Sequence, residues 1–368
     1  MEITASAPGK IILTGEHSVV FGKPALTTAV NKRVTATLHS NNPKKQNSEI
    51  KIIDKRLGIT EEFTINEIKE FTRQAKIKWE DFENSRTVNQ LNEIAKNPLD
   101  LAKITIGESI KEQNPTGFTL EIKSDIPIGA GMGSSAALTA CIVTAVFVYL
   151  KLSADKNFDL RQLKNDDLEA INKISLEAEK RRHGEPSGID TTAVLNGGLI
   201  WYQRKDDDSR IMEQIKVNKN FLTNFTVVDT GRPRETTGEM VLAVRKKLER
   251  RKRWTQGILE KMEETSRKML TGLTKEKPEL VKEAIFENEK CLEKLGVVSE
   301  ETKQFIRKLK LCGIPAKISG AGGRKDKSGM VICWGNKELI NSTAETCNYK
   351  LLDISLGEEG TKIISQNN

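Results

Sequence analysis

Residues 127–137 read PIGAGMGSSAA, with three alternating glycines, two serines and then a long apolar run. Glycine lets a backbone pass close to a ligand and take φ > 0 without a Cβ penalty. A glycine-rich turn that opens a helix aims several unbonded N–H groups at one point, and the helix dipole adds positive potential there. Such a turn can cradle a phosphate. Ser134 and Ser135 stand where a hydroxyl could meet a phosphate oxygen or a metal held by phosphates. A plain capped turn is the other reading, because serine is a favoured N-cap residue. No lysine follows the glycines as in a Walker A loop, and the spacing does not fit G-x-G-x-x-G.

Other stretches bring polar groups onto turns. SAPGKIILTGEHSVVFGKPA, residues 6–25, carries Lys10, Glu16 and His17 among Gly9, Gly15 and Gly22. Together these side chains suit an anionic, polyhydroxy ligand; taken singly, each reads more readily as a solvated surface group. Glu179 falls near the edge of an apolar helix face, where it is either a solvated rim residue or a partly buried ligand for a cation. Asp190 follows a tight turn marked by Gly184, Pro186 and Gly188. It is either the N-cap of the next helix or a carboxylate held rigidly as a base or charge partner. DTGRPRETT at 229–237 adds Arg232, Arg234, Thr236 and Thr237, and AKISGAGG at 316–323 is a second glycine-rich turn after a strand.

The elements that must position these groups are readable from periodicity. Ile3, Ala5 and Ala7 alternate with polar residues, and Lys10 to Leu13 and Val30 to Leu38 continue a strand-rich start. Residues 40–48 form a polar loop, 50–53 and 62–65 short strands, and 67–113 charged helices interrupted near Asn97-Pro98. Phe118 to Ile122 is a strand that runs into the first glycine turn, and Ala136 to Leu150 reads as a buried helix rather than a membrane span. Leu168, Ile171, Ile174 and Ala178 recur at helical spacing over 167–181. The strand 199–203 and the charged loop KDDDSR at 205–210, a boundary or a hairpin insertion, close the first half. The second half mixes helices with strands at 225–229, 316–319, 329–334 and 349–354, an α+β pattern.

Composition narrows the function classes. A chain of 368 residues, 37% hydrophobic and 30% charged, has the apolar material for a core. The net charge of +8 favours anionic ligands but is spread along the chain. The dense run Arg245 to Arg253 is interleaved with Leu242, Leu248 and Trp254, which reads as a solvated amphipathic helix face, so neither nucleic acid nor membrane is expected as a partner. Five scattered cysteines and three histidines point to reduced thiols and no metal cluster. The first residues lack the basic region of a signal peptide, so a cytoplasmic protein is expected.

Four stretches in order, APGKIILTGEHSVVFGKPA, PIGAGMGSSAA, EKRRHGEPSGIDTT at 179–192 and KISGAGG, resemble the GHMP small-molecule kinases, and among them the mevalonate kinases. VDTGRPRETTGEM and LEKLGVVSEET agree with them. The resemblance implies a two-domain α+β GHMP kinase fold, with a ribosomal-protein-S5-like domain over residues 1–215 and a ferredoxin-like domain over 216–368. It implies transfer of the γ-phosphoryl group of ATP to (R)-mevalonate with Mg²⁺, in the pathway to isoprenoid and sterol precursors. Carried over by motif, the backbone of Gly129, Ala130, Gly131, Met132, Gly133, Ser134 and Ser135 cradles ATP. Ser135 and Glu179 hold Mg²⁺, Asp190 takes the hydroxyl proton beside Lys10, Glu16, His17 and Thr236 line the mevalonate side with Arg234 near by, and Gly320 to Gly323, Gly322 among them, close over the site.

The family pattern continues with small residues after GAGG, whereas Arg324, Lys325, Asp326 and Lys327 follow here. That departure implies a longer closing loop, or extra cations for the phosphates. The family is often dimeric and often inhibited by prenyl diphosphates that compete with ATP. The rival readings are another GHMP kinase, acting on phosphomevalonate or a sugar, and an inactive relative that senses ligands.

Overall fold

The computed structural model describes residues 1–41, 49–85, 93–111, 113–127, 129, 131–155, 158, 165–206 and 209–367. The polar loop expected at 40–48 therefore lies almost wholly outside the described residues, as do Ile128 and Ala130.

The first sheet is built on one long strand, β1 (Glu2–Thr14), buried along nearly its whole length. Pro8 interrupts its ladder with β2 (Ala25–Ser40), and the register shifts between Pro8 and Gly9. Proline has no N–H to give to a ladder, so an irregularity falls there. The two short strands expected at the start are thus one strand with a shift in it, and Lys10 stands just beyond the shift. β3 (Glu49–Asp54), β4 (Ile59–Thr64) and β5 (Phe118–Ser124) extend the sheet beyond β2, with β3 and β5 parallel. β6 (Leu199–Arg204) and β7 (Arg210–Ile215) form an antiparallel hairpin on the other part of β2. Arg204 pairs with Arg210, so the strands on either side of KDDDSR form the two arms of one hairpin, as the insertion reading expects.

Helices α1 (Ile65–Ser85) and α2 (Asp100–Ile110) precede β5. From the glycine turn rises α3 (Ser134–Ala154), packed on β1 and β2. By length and composition α3 could cross a membrane, but its side chains fill the core, among them Ile142, Val143 and Val146 at 0% exposure. Burying a branched aliphatic side chain of this size contributes roughly 1.5–3 kcal/mol each. α4 (Asn165–His183) and α5 (Ile189–Asn196) pack on α3 and on each other.

After the short helix α6 (Lys219–Leu222) comes a second, four-stranded antiparallel sheet. It is made of β8 (Phe225–Asp229), β9 (Ala316–Ser319), β10 (Met330–Trp334) and β11 (Lys350–Leu352), in the order β11-β8-β10-β9. Its helices are α7 (Thr237–Arg250), α8 (Lys252–Thr274), α9 (Pro278–Leu295), α10 (Glu300–Leu311) and α11 (Lys337–Glu345). The basic run is broken at Arg251, between α7 and α8; Arg245 pairs with Glu185, and Lys247 donates to the Leu295 carbonyl at the end of α9. Val281, Ile285, Asn288 and Leu292 of α9 are all buried, as their spacing requires.

The two sheets separate near residue 216, with one exception. The last strand, β12 (Lys362–Asn367), returns to pair antiparallel with β1. A division into 1–215 and 216–368 thus leaves a strand of the first sheet in the second segment.

Candidate active site

Gly129 and Gly131 have φ of 75° and 80°, and Gly133, at 69°, is the N-cap of α3. The first bond of α3 runs from Ala137 N–H to the Gly133 carbonyl at 2.9 Å, so the N–H groups of Ser134, Ser135 and Ala136 precede it at the positive end of the helix. Gly133 also makes room: a Cβ there would lie 2.8 Å from Lys10 Cγ. Met132 is buried, and its carbonyl accepts from Lys10 N–H at 2.9 Å; its contribution is to the backbone of the turn. The Arg232 side chain lies over Gly129, within 2.6 Å of where a Cβ would stand.

The shift in β1 and the bond to Met132 deliver Lys10 into the protein interior, 2% exposed, rather than to the surface. Its ammonium lies 3.1 Å from Asp190 Oδ1 and donates to the Gly131 carbonyl at 3.3 Å. Asp190 is not an N-cap. That position belongs to Gly188, with φ of 83°, and Asp190 lies in the first turn of α5. Tyr202 O–H donates to the Ser187 carbonyl at 2.6 Å and packs on Gly188, which holds this turn in place.

The third group stands beside the helix start. Ser135 O–H donates to Glu179 Oε2 at 3.0 Å, and Ser135 Oγ lies 2.8 Å from His183 Nε2. Glu179 is buried and is not a solvated rim residue. Burial, with Asp190 near by, pushes its pKa up to about 8, and its Oε1 is buried without a hydrogen-bond partner. Burial and the neighbouring Arg182 push His183 down to about 4. A serine hydroxyl and a carboxylate with an unpartnered oxygen are the donors a hard cation takes, and the charge of such a cation would offset the buried negative charge. Among the described residues no group of three or more His, Cys, Asp or Glu side chains could hold a metal ion. A cation here would therefore share its remaining ligands with phosphates or water.

Glu16 and His17 form the opposite wall. The Glu16 carboxylate is fully buried. It pairs with Lys317 of β9 and accepts from Asn288 Nδ2 at 2.9 Å. Lys317 also donates to the Ile318 carbonyl at 2.7 Å, and the neighbouring Glu289 accepts from Ile318 N–H at 3.0 Å. The carboxylate expected to face a substrate is thus committed to the protein, although Glu16 still lines the cleft. His17 adopts φ 59°, uncommon for a residue with a side chain. Its Nε2 bonds to the Ala321 carbonyl at 2.9 Å; since a carbonyl only accepts, that nitrogen carries the proton. Nδ1 is then a bare acceptor, buried and unpartnered, and burial pushes the ring down to about 4.

Thr236 caps α7. Its hydroxyl accepts from Glu239 N–H at 3.3 Å while the Glu239 side chain accepts from Thr236 N–H at 2.6 Å. Gly322 is buried with φ 70°, where a Cβ would strike the Val297 carbonyl at 2.1 Å. The residues after it are tied down: Arg324 N–H donates to Glu235 at 3.3 Å, Asp326 pairs with Arg234 at 2.5 Å, and Lys327 pairs with Glu301 at 2.7 Å. Of the cations expected for the phosphates, Lys327 is thus turned to Glu301.

Lys10, Glu16, His17, Gly129, Gly131, Gly133, Ser134, Ser135, Glu179, Asp190, Thr236 and Gly322 line one cleft of about 500 Å³ between the two sheets. The sequence pattern described as "GHMP kinases N terminal domain" matches residues 100–198. Mevalonate kinase of Schizosaccharomyces pombe is 28% identical over 99% of this chain and 92% of its own length. Mevalonate kinase of Pyrococcus furiosus is 30% identical over 88% of this chain and 87% of its own. The chain belongs to the mevalonate kinase family. The crystal structure of the Methanococcus jannaschii mevalonate kinase superposes with a TM-score of 0.71 at 22% identity, over 97% of this chain and 98% of that one, so the GHMP kinase fold is shared.

Within this mevalonate kinase fold, three contacts lie beyond the sequence reading: His183 and Ser319 stand in their motifs without a role of their own, and Arg232 is named only among the polar residues of DTGRPRETT. His183 stands four residues after Glu179 on the same helix face, a spacing that is visible in the sequence. Arg232 covers the glycine turn from the second sheet's side. Ser319 Oγ both accepts from Ile12 N–H and donates to the Ile12 carbonyl, each at 3.0 Å, which pins β9 to β1 at the cleft floor. The last two contacts join distant segments and leave no local signal.

Proposed function

We propose that this protein transfers the γ-phosphoryl group of ATP to the 5-hydroxyl of (R)-mevalonate, giving 5-phosphomevalonate and ADP in the route to isoprenoid and sterol precursors. The observation that carries the reading is the Lys10–Asp190 pair set against the N-terminus of α3, with Ser135 and Glu179 alongside.

The roles follow from position. The N–H groups at the start of α3 and the glycine turn bind and orient the phosphates. Asp190 accepts the proton of the attacking hydroxyl as the new O–P bond forms and the bond to the leaving ADP oxygen breaks. Lys10 offsets charge on both sides of the transfer without itself moving a proton. Phosphoryl transfer asks mainly for such positioning and charge neutralisation. Ser135 and Glu179 would hold Mg²⁺, which when bound neutralises charge on the phosphates. His17 presents Nδ1 as an acceptor for a substrate hydroxyl, and Arg234, at the same wall, is a cation for a carboxylate once it leaves Asp326. Thr236 and Gly322 shape that wall through the cap of α7 and the second glycine turn. Dimerisation, inhibition by prenyl diphosphates and a cytoplasmic location belong to this reading and rest on the family resemblance.

The test is ADP release by the purified protein with Mg²⁺ and ATP, offered mevalonate, 5-phosphomevalonate, galactose and homoserine in parallel. Turnover on mevalonate alone is expected. Turnover on another acceptor would keep the phosphate site and reassign the His17 wall. Silence across the panel in protein that binds ATP would favour a ligand sensor.

A further inference from the structure

Ser135 Oγ carries one proton and has two close partners. Glu179 Oε2 lies 3.0 Å away and His183 Nε2 2.8 Å away, and these two partners are 3.5 Å from each other. An ionised carboxylate only accepts, whereas an imidazole nitrogen donates or accepts according to tautomer. While the hydroxyl points at an ionised Glu179, His183 Nε2 must be the donor to the serine oxygen; a protonated Glu179 instead donates to Ser135 Oγ, and the serine proton then already lies toward His183.

A cation shared by Ser135 and Glu179 cannot leave the first arrangement in place. It takes a lone pair from the hydroxyl oxygen and lone pairs from the carboxylate, and it repels a proton lying between them. The serine proton must then turn to a different acceptor, and His183 Nε2 is already within hydrogen-bond distance. We infer that His183 is a positioning residue for the metal–nucleotide complex: as the Nδ1–H tautomer it accepts the Ser135 proton and so turns a serine lone pair toward the cation. The inference rests on the phosphoryl-transfer reading, which supplies the cation. It assigns His183 no contact with substrate or metal. Without the imidazole the hydroxyl rotates freely, and its proton competes for the direction the metal needs. Loss of such an outer partner weakens metal binding by about ten- to a hundredfold in known sites.

The test measures Mn²⁺ binding by electron paramagnetic resonance in the presence of the β,γ-imido analogue of ATP, for the full chain and its variants. His183→Ala is expected to bind Mn²⁺ about ten- to a hundredfold more weakly, with analogue affinity in the absence of metal unchanged. His183→Gln, whose side-chain carbonyl can accept the same proton, should restore most of the loss. In a Ser135→Ala background His183→Ala should cost nothing further, because the histidine acts through the serine. Wild-type Mn²⁺ affinity in His183→Ala would overturn the proposal. So would an equal loss in both backgrounds, which would mark a general disturbance of the fold. Failure of the wild-type protein to bind Mn²⁺ with the analogue would instead bring down the phosphoryl-transfer reading and the proposal together.

Discussion

Replacing Glu179 with glutamine should make the metal-free protein more stable while removing its use of metal. The carboxylate is buried, and burial with Asp190 near by lifts its pKa from 4.5 to about 8. The stability this group allows is fully present below the unfolded value. It is lost as pH rises toward the folded value, because the unfolded chain ionises where the folded one resists. Each pH unit between 4.5 and 7 removes about 1.4 kcal/mol, so the loss at pH 7 is about 3 kcal/mol. Glutamine keeps the shape and cannot ionise. Urea unfolding with a chelator present should therefore show Glu179→Gln about 3 kcal/mol more stable than wild type at pH 7, with the two converging near pH 4.5. His17 and His183, both held near 4, titrate in both proteins and largely cancel in the difference. Metal binding supplies the second readout. A cation on Glu179 displaces its proton, so binding of Mg²⁺ with nucleotide near pH 7 should release more protons from wild type than from the variant. Calorimetry in two buffers of different ionisation enthalpy measures that difference. Parallel stability profiles from pH 5 to pH 8 would refute the account of Glu179.

Asp190→Asn should lower kcat by about 10²–10⁴-fold, the usual worth of a positioned base, while nucleotide affinity is kept; near-normal turnover in an ADP-release assay would remove Asp190 from that role. Gly133→Ala forces a side chain into φ 69° and against Lys10, which should cost about 1–3 kcal/mol in urea unfolding and displace the lysine, so turnover should fall as well. Lys317→Met leaves the Glu16 carboxylate buried without its cation, at about 3–5 kcal/mol. Adding Glu16→Gln should recover a large part of that stability, and a double variant as unstable as the single one would show that the buried charge is not what matters.

The sequence disclosed those parts of the site that local backbone dictates. Gly133, Gly188 and Gly322 announce turns because each must take positive φ where a side chain would collide, and the turns place Ser135, Asp190 and the loop after β9. The strands and apolar helices were legible for the same reason: period and turn chemistry are local. The pairing of β12 with β1 was not, because a short six-residue strand carries no mark of the partner it joins across the whole chain.

Glu16 shows the limit most clearly. A residue type says what a group can do, and the fold decides which of its lone pairs remain free. The Glu16 carboxylate looked like a ligand for substrate, yet its oxygens go to Lys317 and Asn288, residues separated from it by 301 and 272 positions. What that commitment accomplishes is geometric. It anchors Glu16, and with it the neighbouring His17, to the second sheet, and His17 adds its own bond to Ala321. Ser319 pins β9 to Ile12 beside them. Three successive contacts thus join β1 and the turn after it to β9 and its glycine loop. The Lys10–Asp190 pair and the start of α3 belong to the first side of this junction, whereas Arg234, Thr236 and Gly322 belong to the second. The spacing between the glycine turn at the start of α3 and the opposite wall of the cleft is therefore set by buried polar bonds behind it. The carboxylate next to His17 thus fixes where that histidine stands in the cleft.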